Sequence, residues 1–64
     1  MTRKKLKAAR IEKGMTQQEV ADYLKISLRY YQNIEAGDRT GDFGIWDKLE
    51  DLFSIHQRKL RDLS

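Results

Sequence analysis

The sequence predicts an all-α fold, a compact bundle of five short helices, and three observations carry that expectation. The 64 residues contain no proline, so no ring interrupts a helix anywhere along the chain. Apolar residues return at three- and four-residue spacing in Leu6 and Ala9, in Val20, Ala21 and Leu24, in Tyr31 and Ile34, and in Phe43, Trp46, Leu49 and Phe53. That spacing is the repeat of a helix with one buried face. Between these stretches stand residues that start and stop helices, namely Gly14, Thr16, Ser27, Gly37 and Asp42.

Each element follows from its local chemistry. The first helix is expected over residues 3–13, with Leu6 and Ala9 inward, most lysines outward and Gly14 as its stop. Thr16 followed by Glu19 is the pattern of a capping box, in which each side chain satisfies a free backbone N–H of the second helix. Met15 is placed to plug the core beneath that first turn, and Tyr23 lies off the apolar stripe with its hydroxyl toward water. Lys25-Ile26-Ser27 breaks the pattern. Ser27 then caps a third helix, Leu28 to Ala36, which Gly37 ends in a left-handed conformation. Gly37 to Gly41 is the one clear loop. Asp42 caps a fourth helix running to about Phe53, whose stripe of Phe43, Trp46, Leu49 and Phe53, with Leu52 alongside, is expected to pack against helices one and three rather than to line a ligand pocket. Ser54-Ile55-His56 turns the chain into a last helix from Gln57 to Leu63, with Ile55 and Leu60 folded back and Leu63 left as an exposed apolar contact.

Size and charge narrow the function. One domain, residues 1–64, is expected, and a chain this short buries only about 60% of the surface it exposes unfolded. There is no cysteine, hence neither disulfide nor thiolate metal site, which suits a reducing compartment. No apolar run reaches signal-peptide or membrane-spanning length, so a soluble cytoplasmic protein without membrane partners is expected. The net charge of +3 is unevenly spread. Residues 1–13 carry Arg3, Lys4, Lys5, Lys7, Arg10 and Lys13 against Glu12 alone, while the remainder carries seven basic and nine acidic groups. Positive charge beside a polar surface suits a phosphate backbone, although a basic terminus is also common on soluble proteins.

The third helix supplies that polar surface. At about 100° per residue, Tyr31 and Ile34 fall on one side and Arg29, Gln32, Asn33 and Ala36 on the other. Arginine pairs bidentately with guanine, and asparagine or glutamine with adenine, through atoms exposed in the major groove. Ala36 is small enough to admit a backbone. Taken alone, the same face serves equally as an ordinary solvated one.

Residues 16–37 resemble the helix-turn-helix of the phage repressor and Cro family, the XRE-like bacterial and phage regulators, and the resemblance extends over roughly residues 5–60. It rests on Gln17 at the start of the first motif helix, Ala21 where the helices cross, Ile26 after the turn, Ile34-Glu35-Ala36-Gly37 at the end, and upstream Arg10 and Gly14-Met15-Thr16-Gln17. It implies a repressor-like DNA-binding bundle with helix three in the major groove. Base contacts then fall to Arg29 and Asn33, assisted by Gln32 and by Leu28 against a thymine methyl; phosphate contacts fall to Gln17, Ser27, Tyr30, Arg39, Thr40 and the basic N-terminus. Arg10 and Glu35 are expected to form a partly buried ion pair clamping helix one to helix three, with a phosphate role for Arg10 as the alternative. Two departures stand out. Lys25 occupies a turn position where the family usually has glycine, and Tyr31 one where it usually has a branched aliphatic; Gly41 also lacks the proline of many relatives.

Catalysis is not expected. His56 has no metal-ligand companions and no nucleophile beside it, and Asp47, Glu50 and Asp51 have Lys48 and Arg58 to balance them and no cleft for acid–base work. No cofactor or metal is expected. The reading is a sequence-specific regulator binding double-stranded DNA, a repressor of the kind carried by prophages and mobile elements, placed at the bacterial nucleoid. Its partners would be a palindromic operator and a second copy, as a weak homodimer or one formed on DNA. Glu19 and Asp22 make an acidic patch of the kind from which some family members touch RNA polymerase, a solvated face being the plainer reading. The alternative function is a protein-interaction module, an antitoxin or antirepressor, using the same surface or the apolar C-terminus on a partner protein.

Overall fold

The computed structural model describes residues 2–63; the ends of the expected domain, Met1 and Ser64, lie outside them. Five helices follow one another as α1 (Lys4–Glu12), α2 (Gln17–Leu24), α3 (Leu28–Ala36), α4 (Phe43–Phe53) and α5 (Gln57–Leu60), with no strand among the described residues. They fill a body of 24 × 23 × 20 Å.

Local signals explain most boundaries. The Thr16 hydroxyl accepts from the Glu19 N–H at 3.1 Å, and the Glu19 carboxylate accepts from the Thr16 N–H at 2.8 Å, completing the box that opens α2. Ser27 caps α3 by accepting from the Tyr30 N–H, and Asp42 caps α4 by accepting from the Ile45 N–H. His56 Nδ1 accepts from the Arg58 N–H and so opens α5. Three helices end on a left-handed residue, Lys25 (φ 59°), Gly37 (φ 88°) and Ser54 (φ 56°). At Lys25 and Gly37 the residue's own N–H and the next one return to the last turn, Lys25 to Asp22 and Ile26 to Ala21, Gly37 to Ile34 and Asp38 to Asn33, which satisfies carbonyls the helix end leaves open.

The core gathers Leu6, Ala9, Val20, Ala21, Leu24, Tyr31, Ile34, Ile45, Trp46, Leu49, Phe53 and Leu60, with Met15, Ile26, Leu52 and Ile55 packed against it. Four expectations are corrected here. Phe43 is not in the core but 76% exposed, and Ile45 is buried in its stead. Phe43 stands about a quarter turn off the line through Trp46, Leu49 and Phe53, and loop residue Thr40 already covers that end of Trp46, its carbonyl accepting from the indole N–H at 2.7 Å. Next, α4 lies chiefly against α2 and α5, while α1 meets α3 and α5. Third, α5 is one turn long and stops at Leu60, leaving Leu63 exposed beyond it.

The fourth correction is Arg3, expected inside the first helix and, as part of the basic N-terminus, at a phosphate. It precedes α1 and is 4% exposed. Its guanidinium donates to the carbonyls of Ile34, Arg39 and Arg61 and lies 5.1 Å from the Trp46 ring. Burial, with Arg61 nearby, lowers its pKa; the three carbonyls and the ring face offset that desolvation. Spacing of three from Leu6, and of three again to Ala9, is the one signal in the sequence that put Arg3 on the inner side.

Candidate nucleic-acid interface

α2 and α3 are the most closely packed pair of helices, and the turn between them is Lys25-Ile26-Ser27. The inner face of α3, Tyr31, Ile34 and Glu35, is buried. On its outer side Arg29, Gln32 and Ala36 are exposed, and Leu28 and Asn33 are half-buried. One helix thus holds a fixed inner face and an outer face of polar side chains open to solvent, which is what a probe inserted into a groove requires.

An ion pair holds that helix in place. Arg10 Nε lies 3.2 Å from both carboxylate oxygens of Glu35, Nη2 lies 3.1 Å from Oε1, and Nη1 donates to the Met15 carbonyl at 2.9 Å. The side chains are 12% and 3% exposed. The pair therefore joins α1, the turn before α2 and α3 in one fork-shaped contact. Tyr31 is packed beside it. Its hydroxyl is fully buried and makes no hydrogen bond among the described residues. Burial first, and then the Glu35 charge, push its pKa well above the usual tyrosine value.

The expected phosphate ligands lie around the rim. Ser27, Arg39 and Thr40 are exposed, and Tyr30 is half-buried against the core. The loop bearing Arg39 and Thr40 is pinned from beneath, because Arg3 takes the Arg39 carbonyl at 2.9 Å, Trp46 takes that of Thr40, and the Asp38 and Arg39 N–H groups reach the Asn33 carbonyl. Gln17 is half-buried at the first position of α2. Its amide nitrogen donates to Glu35 Oε2 at 3.1 Å and its carbonyl accepts from Gln32 Nε2 at 3.2 Å. One amide proton and the backbone N–H groups of Gln17 and Gln18 remain for an anion, the Glu19 N–H being taken by Thr16.

Two of the contacts that nothing in the sequence indicates bear on this face and its support. One is the Gln17–Gln32 contact, made between residues fifteen positions apart. The other is the exposed Lys5–Asp62 ion pair at 3.0 Å, which ties α1 to the segment after α5. Neither has a local signal. No helix among the described residues is long and apolar enough to cross a membrane. No cluster of three or more metal-ligating side chains occurs among them.

Comparison with known proteins gives the same motif. A helix-turn-helix family model matches residues 6–56. The uncharacterised HTH-type transcriptional regulator YqaF of Bacillus subtilis (strain 168) is 54% identical over 39 residues, 61% of this chain and 51% of the relative. The chain thus matches about half the length of that relative. No solved structure matches the chain significantly. A match over most of the chain, on the elements that build the α2–turn–α3 unit, leaves one conclusion: the chain belongs to the repressor/Cro-type, XRE-like helix-turn-helix family of DNA-binding transcriptional regulators.

Proposed function

We propose that this chain binds double-stranded DNA sequence-specifically, with α3 in the major groove, and represses transcription from a palindromic site as a two-fold dimer formed on DNA. The single observation that carries the reading is the division of α3 into a buried inner face and an outer face of Arg29, Gln32, Asn33 and Ala36. Arg29 and Asn33 are the proposed readers of base edges, with Gln32 and Leu28 beside them. Ser27, Tyr30, Arg39, Thr40 and the first turn of α2 at Gln17 hold phosphates on either side. The remaining lysines of the basic N-terminus add counter-charge, and Arg3 does not, since its guanidinium is consumed inside the molecule. The setting is a bacterial nucleoid and a prophage or mobile element.

Selection of bound duplexes from a random pool tests the proposal. The expected result is one enriched motif with inverted half-sites about one helical turn, 34 Å, apart, bound with an affinity that falls steeply as salt rises. A pool that returns no motif, or binding indifferent to salt, ends the DNA reading and leaves the surface to a protein partner.

A further inference from the structure

The hydrogen bonds behind α3 form a chain that runs from the protein interior to the proposed base-reading face: Arg10 to Glu35, Glu35 to Gln17, Gln17 to Gln32. The donor and acceptor roles along it leave little choice. Glu35, gripped by Arg10 and 3% exposed, is a carboxylate that only accepts. The Gln17 atom 3.1 Å from it must therefore be nitrogen, which turns the Gln17 carbonyl outward. That carbonyl in turn requires a donor, so Gln32 presents its nitrogen at 3.2 Å. An amide free in water flips between two orientations; this one is held in one of them by a charge three residues away on the inner side of the same helix.

What remains on Gln32 is one N–H and the carbonyl oxygen, side by side on an exposed residue. Adenine offers the matching pair in the major groove, N7 to accept and N6–H to donate. We propose that Gln32 is the adenine reader of this protein and that Gln17 and Glu35 are its positioning residues, the buried ion pair setting the direction of the reading amide. The proposal rests on the DNA-binding reading above. It moves Gln32 from an assisting role to a specificity-determining one, and it gives Gln17 a duty besides any phosphate.

The test compares the full single-base preference profile of the wild type, Gln32→Ala, Gln17→Met and the double variant on the selected site. Gln32→Ala is expected to lose the preference for adenine at one position per half-site, by about 5- to 150-fold. Gln17→Met, similar in size and without an amide, is expected to weaken the preference at that same position by about 2- to 10-fold, the cost of ordering one long side chain anew. The double variant is expected to match Gln32→Ala at that position. A Gln17→Met protein that binds every duplex more weakly with an unchanged profile overturns the proposal while leaving DNA binding intact. A wild type that enriches no site removes the DNA reading itself, and this inference with it. A measurement without DNA guards against a folding defect: solvent exchange of the Gln32 side-chain amide protons, by NMR, is expected to quicken in Gln17→Met and in the shorter Gln17→Asn. Equal exchange in the folded variants also overturns the relay.

Discussion

Tyr31→Phe is the most direct test of the packing around the ion pair. The ring is fully buried, and its hydroxyl makes no hydrogen bond of good geometry among the described residues, although Arg10 and Glu35 lie close enough to act on its ionisation. A buried polar group left unpaired costs about 1–3 kcal/mol, and phenylalanine keeps the ring while removing the group. Against this stands the small void left by one oxygen, so a net gain of about 1 kcal/mol is expected. In a domain of this size that raises Tm by about 4–8 °C. Alkali supplies an independent arm. The folded pKa of Tyr31 is raised, by burial first and by Glu35 second, so the folded protein keeps the phenolic proton where the unfolded chain, near pH 10, loses it. The unfolded state then binds fewer protons, and wild-type stability falls as pH rises above about 10, by up to about 1.4 kcal/mol per pH unit. Below that pH the group contributes no pH dependence. Tyr31→Phe has no such limb, so its advantage widens with alkalinity. Urea unfolding of both proteins at neutral pH and at two alkaline values reads both arms. A variant less stable than wild type by 1 kcal/mol or more at neutral pH shows that the hydroxyl is bonded after all, and a pH-independent gap shows that Tyr31 ionises as if in water.

Four further outcomes are expected. Lys25 is left-handed (φ 59°, ψ 43°), a conformation that costs a side-chain-bearing residue roughly 1 kcal/mol, so Lys25→Gly should raise Tm; a fall would mean that the αL turn is not under strain. Arg10→Met strands the Glu35 carboxylate, 3% exposed, at a cost of about 3–5 kcal/mol, and Arg10→Met with Glu35→Leu should recover much of it in urea unfolding. At Gly41 (φ +75°) an added Cβ would lie 3.1 Å from the Trp46 indole nitrogen. Gly41→Ala should therefore destabilise by about 1–2 kcal/mol through backbone strain and loss of the Thr40–Trp46 bond, with the emission of Trp46 shifted to the red; proline, with φ near −65°, cannot be accommodated without rebuilding the loop. Arg29→Ala should cost about 1–3 kcal/mol of DNA affinity and relax a single base position, and equal loss on every duplex would remove Arg29 from base reading.

Caps and spacing made most helix limits legible. Thr16 with Glu19, Ser27, Gly37 and Asp42 all act within four residues of where they stand, so the sequence displays both partners of each contact. The same holds for the buried Val20, Ala21, Leu24 and Ile34. α5 ran shorter than its apolar spacing suggested because one turn suffices to bury Leu60. The Arg10–Glu35 pair was accessible only through family resemblance, since twenty-five residues separate its members.

Sequence alone therefore determined the order of helices, the turn that joins α2 to α3, and which side of α3 turns inward, because each depends on hydrogen bonds and periodicities no longer than a helical turn or two. Tertiary structure decided the rest. It drew Arg3 under the loop at Arg39, left Phe43 outside, left the Tyr31 hydroxyl without a hydrogen bond among the described residues, and brought Gln17 to Gln32. All four turn on which distant segments the folded chain sets side by side, and a charged, aromatic or amide side chain takes its role from those neighbours rather than from its own place in the chain.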